Sequence, residues 1–379
     1  MTLPSGDTAK PRPRVLFIQT QGENAGAQEI TRLVGAGLTL RGFDVQHLFF
    51  YRKSAHFDEP PNTQYCVPGR PKNPLAALKF LITLGRRIRQ AKPDVILPFQ
   101  HYGNTVGSAV ARLVSPAPII ANQVSPKALM NRLVRIVDFV MGNLAFFNLI
   151  VVNSHGMLLE YSRYPRFYRK RLRYIPHGFE LKRAAMSKPE ARLAFGLPAD
   201  ATLLGCVARL HPIKRIDVAI RALADHPEWH LAVAGQGPQE AELRQLAGQL
   251  GLTERVHFVG EIAPERIGEF LVCLDVFVFP SASETFGLAA VEAAGAGIPA
   301  VVSGLEVLRE VLSYNGEPAA LFVDGADPRA LAAGVARLLN DDALRQDLQR
   351  GAAGLTIRYS IDAMIDEYVR LMRELGITT

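Results

Sequence analysis

Short apolar runs alternate with stretches of helical periodicity along most of the chain. Val15–Ile18 reads as a strand, the turn QGENAGAQE follows, and Ile30–Leu40 has apolar residues at helical spacing. Arg41 and Gly42 close that helix, and Val45–Phe50 reads as the next strand, which completes a βαβ unit. Val95–Pro98, Ile119–Ala121 and Leu149–Asn153 are further strands, whereas Tyr51–Asn73 is Pro-rich and reads as a long surface loop. The second half repeats the order. Strands are expected at Leu203–Val207, Trp229–Ala234, Val256–Val259, Asp275–Phe279, Ala300–Ser303 and Ala320–Val323. Helices are expected at Ile216–Leu223, Glu240–Leu250, Ala330–Asn340 and Ile361–Leu375, with Asn340–Asp342 as a helix end and cap. The alternation predicts an α/β protein of two doubly wound, Rossmann-like domains joined near Pro176–Pro198. In such sheets ligands bind beyond the carboxyl ends of the strands, where the Gly-bearing loops of this chain fall.

Composition narrows the class. At 379 residues with 48% hydrophobic and 21% charged side chains, the chain suits two globular domains rather than a disordered one. Cys66, Cys206 and Cys273 lie far apart, without metal-ligand spacing, and read as core or loop residues in a reducing compartment. The start, MTLPSGDTAKPRPR, has no apolar core of a signal peptide and is expected to fray. The nearest approach to a spanning segment, Leu133–Val152, is interrupted by Arg135, Asp138, Asn143 and Asn148. Charge divides the molecule. Residues 1–180 carry 24 Lys/Arg against 10 Asp/Glu, and residues 181–379 carry 19 against 26. The two halves are expected to face different partners.

The candidate chemistry centres on SETFGLAAVEAAGAGIP, after the apolar run VFVFP. Glu284 sits in a loop with Gly287, and Glu292 follows at i+8, so both are expected on one side of a single helix. A helix start suits a phosphate, and carboxylates accept hydrogen bonds from sugar hydroxyls. The pattern points to a nucleotide-sugar site. A solvated helix face is the bland alternative, but small apolar neighbours around Glu292 favour a buried, functional carboxylate.

In order, AGAQEITRLVGAGLTLRGFDV, IVVNS, IPHGFE, ARLHPIKRID, VAGQGPQEAELRQLA, VHFVGEI and SETFGLAAVEAAGAGIPAVVS resemble the retaining family-4 glycosyltransferases over nearly the whole chain. The resemblance implies the GT-B fold, with two domains facing a central cleft. It implies an acceptor-binding domain at 1–185, a donor-binding domain at 186–358, and a carboxyl-terminal helix at 359–379 that packs toward the first domain. Arg209 and Lys214 would bind the donor diphosphate, and Glu284 the sugar hydroxyls. The backbone N–H groups of Thr285, Phe286, Gly287 and Leu288 would cradle phosphate, and Glu292 would hold the ribose. Gly26 would admit the donor closely, His101 would stand near the sugar, and the base would lie near Gly260, Ile262 and Gly235. The implied transfer retains anomeric configuration, uses a nucleoside-diphosphate sugar, and needs neither metal nor cofactor. Two departures stand out. Glu306 and Val307 occupy the place of a family glycine pair, and Asn122 and Gln123 stand where a histidine is often found.

The basic half offers two segments. Lys72–Lys92 combines Leu75, Leu78, Leu81, Ile82, Leu84 and Ile88 with Lys79, Arg86, Arg87 and Arg89. Tyr161–Tyr174 interleaves five aromatics with six cations, among them Arg166, Arg169, Lys170 and Arg171. Both suit an anionic membrane surface. The first equally suits an ordinary helix packed on its sheet. No nucleic-acid motif is present, so nucleic acid is not an expected partner. Together these features predict a cytoplasmic enzyme, peripheral on the inner face of the membrane. Its acceptor would be a lipid-linked or cell-envelope glycan, as in lipopolysaccharide or capsule assembly. The alternatives are a soluble acceptor, a nucleotide-sugar epimerase, and a silent nucleotide-sugar-binding protein.

Overall fold

The computed structural model describes residues 12–54, 57, 59–125 and 130–379. The expected fraying of the first eleven residues lies outside them.

The amino-terminal domain holds strands β1 (Arg14–Gly22), β2 (Asp44–Arg52), β3 (Thr63–Val67), β4 (Val95–Pro98), β5 (Ile120–Gln123), β6 (Leu149–Val152) and β7 (Leu172–Tyr174). Its helices are α1 (Gly26–Leu40), α2 (Pro74–Ala91), α3 (Gln100–Tyr102), α4 (Ser108–Val114), α5 (Arg132–Asn143), α6 (His155–Ser162) and α7 (Arg166–Arg169). Hydrogen-bonded order runs β3-β2-β1-β4 and β5-β6-β7. Parallel bridges from Ile96 to Ile119 and from Phe99 to Asn122 join the two groups side by side. Strand β3 falls inside the stretch read as loop. Its alternation is weak, because its burial comes from lying beside β2, and Pro60 and Pro61 hide its start. Leu133–Val152 folds as a helix, a turn and a strand.

The carboxyl-terminal domain adds β8 (Thr202–Val207), β9 (Trp229–Ala234), β10 (Val256–Gly260), β11 (Val276–Phe279), β12 (Ala300–Ser303), a hairpin of β13 (Ser313–Tyr314) with β14 (Glu317–Pro318), and β15 (Leu321–Val323). Helices α8 (Lys188–Ala194), α9 (Ile216–Arg221), α10 (Glu240–Gln249), α11 (Ile267–Val272), α12 (Leu288–Gly295), α13 (Glu306–Val311), α14 (Pro328–Asn340), α15 (Asp342–Arg358) and α16 (Ile361–Glu374) follow. The six-stranded parallel sheet runs β10-β9-β8-β11-β12-β15. Its order reverses at β8/β11, which opens a crevice at the carboxyl ends of those strands. The Asp341 side chain caps α15 by accepting from the Leu344 N–H at 2.9 Å. Helix α15 itself escapes the apolar-pattern reading because its exposed face is richly polar.

The chain recrosses the molecule at its end. Met364, Ile365, Tyr368, Leu371 and Met372 of α16 join the core formed by β1, α1 and β4. Tyr368 Oη donates to Asn122 Oδ1 at 2.7 Å, fixing the helix near the carboxyl end of β5. The other face of the amino-terminal sheet is covered by α2, α4, α5, α6 and α7 through Phe80, Leu84, Ala111, Met141, Met157, Tyr161 and Tyr168.

This packing revises the reading of Tyr161–Tyr174. Tyr161 and Tyr168 are core residues, Leu172–Tyr174 is a strand, and Arg173 pairs with Glu374 at 3.2 Å. Phe167, Arg166, Arg169 and Lys170 remain on the surface, with Arg171 half-buried. In α2 the apolar residues divide. Phe80, Leu84 and Ile88 face the sheet, whereas Leu75, Leu78, Leu81 and Ile82 face outward with Lys79, Arg86 and Arg89, and Arg87 is half-buried.

Candidate functional site

Four loops of the carboxyl-terminal domain leave adjacent strands on the same side and meet the first loop of the amino-terminal domain. Between them lies a cleft of ≈ 790 Å³. The loop after β8 supplies Arg209 and Lys214, and the loop after β9 supplies Gly235 and Gln236. The loop after β10 supplies Glu261 and Ile262, and the loop after β11 supplies Glu284, Thr285, Phe286 and Gly287, continuing into Leu288 and Glu292 of α12. Glu23, Asn24, Gly26, Glu29 and Arg32 face them from the first domain, with Lys53 and Ser54 beside.

Local backbone explains much of this arrangement. Gly287 has φ 84° and caps α12, whose first N–H groups have no partner within the helix and open toward the cleft. Gly235 has φ 131°, and a Cβ there would sit 2.1 Å from the Ala208 carbonyl oxygen. Its N–H donates to Gly260 O at 2.7 Å, so Gly260 shapes the loop without lining the cleft. At Gly26 a Cβ would meet no protein atom within 4 Å, so any demand for glycine there comes from what enters the cleft.

The carboxylates are deployed differently from the single-helix expectation. Glu284 precedes α12, and its Oε1 accepts from Lys214 Nζ at 2.5 Å. Glu292 lies within α12 and is buried, with Lys182 Nζ 3.8 Å away. The left-handed cap at Gly287 breaks the helical phase between them, so they hold separate corners of one cleft. Arg209 Nη1 stands 4.0 Å from Glu23 Oε1, and Oε2 of the same carboxylate pairs with Lys53. Each cation therefore faces a carboxylate that an incoming diphosphate would displace or rearrange.

Several residues at this site carry no signal in the sequence. Lys182 is buried and also reaches Glu29 at 3.1 Å and Glu180 at 3.2 Å, tying α1 to the segment that connects the two domains. Glu261 accepts from Asn24 N–H at 3.2 Å, Ser54 Oγ at 2.8 Å and Gln236, bridging the domains. Their partners Glu29, Asn24 and Ser54 lie more than a hundred positions away, which no local pattern encodes. His177 lines the cleft, and its Nε2 accepts from the Asn153 amide at 2.8 Å. Burial pushes its imidazole down to about 3, so it stays neutral. His101, by contrast, is absent from the cleft lining. Its ring packs on Tyr102, with centroids 4.6 Å apart, in the short helix after β4. Asn122 and Gln123 also stay out of the cleft. Asn122 bonds to Asn104 and Tyr368, and Gln123 to Asp138 at 2.7 Å. Glu306 and Val307 open α13, whose Glu310 accepts from the His155 and Gly156 N–H groups across the domain boundary at 2.8 and 3.1 Å. Among the described residues no cluster of three His, Cys, Asp or Glu side chains is placed to hold a metal ion.

Burial pushes the Glu292 carboxyl up to about 8, against the pull of Lys182. A carboxyl raised above its unfolded value binds its proton more tightly in the folded state, so stability is highest below the unfolded value, near 4.5, and declines as pH rises to about 8. Glu292→Gln is expected to flatten that decline and to raise stability at pH 8 by on the order of a few kcal/mol. Parallel thermal melts of both proteins from pH 5 to 8 measure it, and equal slopes would contradict the assignment.

Two stacked doubly wound domains with a cleft between the carboxyl ends of their strands define the GT-B class. Residues 187–354 match the family model of glycosyl transferases group 1. D-inositol 3-phosphate glycosyltransferase of Acidothermus cellulolyticus is 35% identical over 221 residues, covering 54% of this chain and 48% of the relative. The lipopolysaccharide core biosynthesis glycosyltransferase LpsD of Rhizobium meliloti is 35% identical over 190 residues, covering 50% of this chain and 54% of its own. The chain thus spans about half the length of the curated relatives it matches. Among solved structures, Anabaena HepE in complex with UDP and glucose superposes over 96% of this chain and 100% of its own, with TM-score 0.81 at 19% identity, a likeness of fold.

Proposed function

We propose that the chain is a retaining glycosyltransferase that moves a sugar from a nucleoside-diphosphate sugar to a lipid-linked or cell-envelope glycan at the inner face of the membrane. The observation that carries this reading is the convergence of Arg209, Lys214, Glu284 and the start of α12 on one cleft. In it, Arg209 and Lys214 take the diphosphate in place of their present carboxylate partners. The N-terminal turn of α12 receives phosphate oxygens, Glu284 meets the sugar hydroxyls and Glu292 the ribose. The base lies by Ile262 and the Gly235 loop. During transfer the bond from the anomeric carbon to the phosphate oxygen breaks with its electron pair going to phosphate. The acceptor oxygen bonds to the same face of that carbon, and its proton passes to the departing phosphate. The two cations stabilise the charge that grows there, and no metal takes part. LpsD lends support by its role in lipopolysaccharide core biosynthesis, and HepE by the UDP and glucose bound in a similar fold.

A panel of nucleoside-diphosphate sugars tests the donor. The right one stabilises the protein by about 2.7 kcal/mol at a hundredfold excess over Kd, read as a rise in Tm. A panel with no stabilising member overturns the reading. Transfer that persists in EDTA, with the product anomer matching the donor by NMR, tests the metal-free retaining chemistry.

A further inference from the structure

Helix α5 is built inside out for a protein in water. Its single carboxylate, Asp138, points into the domain, where it accepts from Gln123 Nε2 at 2.7 Å and Tyr168 Oη at 3.0 Å. The opposite side carries Leu133, Ile136, Val140 and, at the helix end, Leu144. These positions fall at i, i+3, i+7 and i+11, a continuous stripe. Leu133 is 69% exposed, Ile136 59% and Leu144 66%. Burial of Val134, Asp138 and Met141 fixes the rotation of the helix, so the stripe cannot turn inward without breaking the Asp138 bonds.

Neighbouring helices on the same face of the sheet continue the pattern. Helix α4 exposes Leu113, α7 exposes Phe167, and the outward residues of α2 lie on the same layer. The exposed charges on α5 and α7 are cations, with the carboxylate of Glu160 on α6 as a neighbour. Arg132 and Arg135 stand on α5 itself, and Arg166, Arg169 and Lys170 stand on or beside α7, which packs against it. A second copy of the chain, related by a twofold axis, would bring these cations against their own equivalents, which opposes self-association. An apolar layer beneath anionic headgroups satisfies both the stripe and its cations.

We infer that α5 is the membrane-docking element of the protein, lying in the headgroup region of an anionic bilayer with Leu133, Ile136, Val140 and Leu144 immersed. The inference deepens the reading of a lipid-linked acceptor and rests on it for that acceptor alone. Docking itself depends only on the helix. The site and the docking helix are close in the chain, since Val124 and Ser125 line the cleft and α5 begins at Arg132. A bilayer at α5 would therefore hold lipid-borne acceptors near the cleft rim.

Flotation with vesicles of phosphatidylglycerol and phosphatidylcholine tests the proposal. The intact protein is expected to float with the mixed vesicles at low salt and to stay behind with phosphatidylcholine alone. Leu133→Asn with Ile136→Asn is expected to cut binding on the order of tenfold or more while leaving the donor-induced rise in Tm unchanged. A reporter guards against misfolding of that variant. The native chain has one tryptophan, Trp229, buried in the other domain. Ile136→Trp should add an emission that lipids brominated in the acyl chain quench, while the native emission is unaffected. The proposal is overturned if the intact protein fails to float, if the double variant floats equally well, or if the added emission escapes quenching. It is also overturned if sedimentation shows a dimer that the double variant dissolves. Failed flotation with a preserved donor response would sink docking alone, and flotation without any donor response would sink the proposed activity alone.

Discussion

Lys214→Ala should lower kcat/KM for transfer by about 10²–10³-fold, which corresponds to about 3–4 kcal/mol of lost transition-state stabilisation. Two effects act together. The cation that would face the leaving diphosphate disappears, and Glu284, normally held at 2.5 Å by Lys214, is left as an unpaired carboxylate where phosphate must enter. Glu284 is largely shielded from solvent, so water does little to screen that repulsion. The fold should lose less, because the Lys214 side chain is only partly buried and its one aromatic contact is its ammonium 5.3 Å from the Phe279 ring centre. The expected signature is thus a large kinetic loss with only a modest fall in Tm. Steady-state transfer assays with the donor identified by thermal shift measure it, and a loss under about tenfold would remove Lys214 from the phosphate site.

Gly235→Ala should do the reverse and strike stability first. Its φ of 131° is strained for any residue with a side chain, and the added methyl would lie 2.1 Å from the Ala208 carbonyl oxygen. Backbone oxygen cannot rotate away, so one of two loops must move. The Ala208 loop carries Arg209, and the Gly235 loop is bonded to Gly260. The cost is expected to reach about 3 kcal/mol or more. For a domain of this size that lowers Tm by roughly 6–12 °C. Donor affinity should fall as well, because Arg209 moves with its loop. Gly26→Ala is the natural comparison. It fills open space, so its Tm should match the parent protein, and any loss of donor binding reports contact with the donor. A Gly235→Ala protein that melts with the parent would show that these loops have slack the structure does not suggest.

What the sequence made legible follows the range of each signal. Strands β1, β2, β4, β6, β8, β9, β11 and β12 are near-continuous apolar runs because both their faces are covered, and local pattern finds them. Strand β3 lies at the sheet edge and β7 lies amid arginines, so burial comes from neighbours rather than from their own composition. At the site, Arg209, Lys214, Glu284 and Gly287 sit in motifs whose spacing carries meaning. Lys182, Glu261 and Glu23 matter through partners on the other domain, as in the Glu261 bond to Ser54, and no window of sequence brings those partners together. The error over Glu284 and Glu292 has a single cause. A spacing of eight matches helical phase, whereas the left-handed Gly287 resets the backbone between them. In α5 the sequence shows Asp138 only as an interruption of an apolar segment; its role as the residue that anchors the helix inward depends on Gln123 and Tyr168, which no local pattern brings to it.

Helix α16 has a consequence for the order in which the protein is made. The amino-terminal sheet is translated first, but Met364, Ile365, Tyr368 and Leu371 complete its core, and Gly37 of α1 leaves room for Ile365 where a Cβ would sit 1.7 Å from its Cδ1. During vectorial synthesis that sheet face, covered in part by α1, stays incomplete until α16 leaves the ribosome, while the second domain already has all its strands. The half of the chain that is born first is therefore the half that matures last.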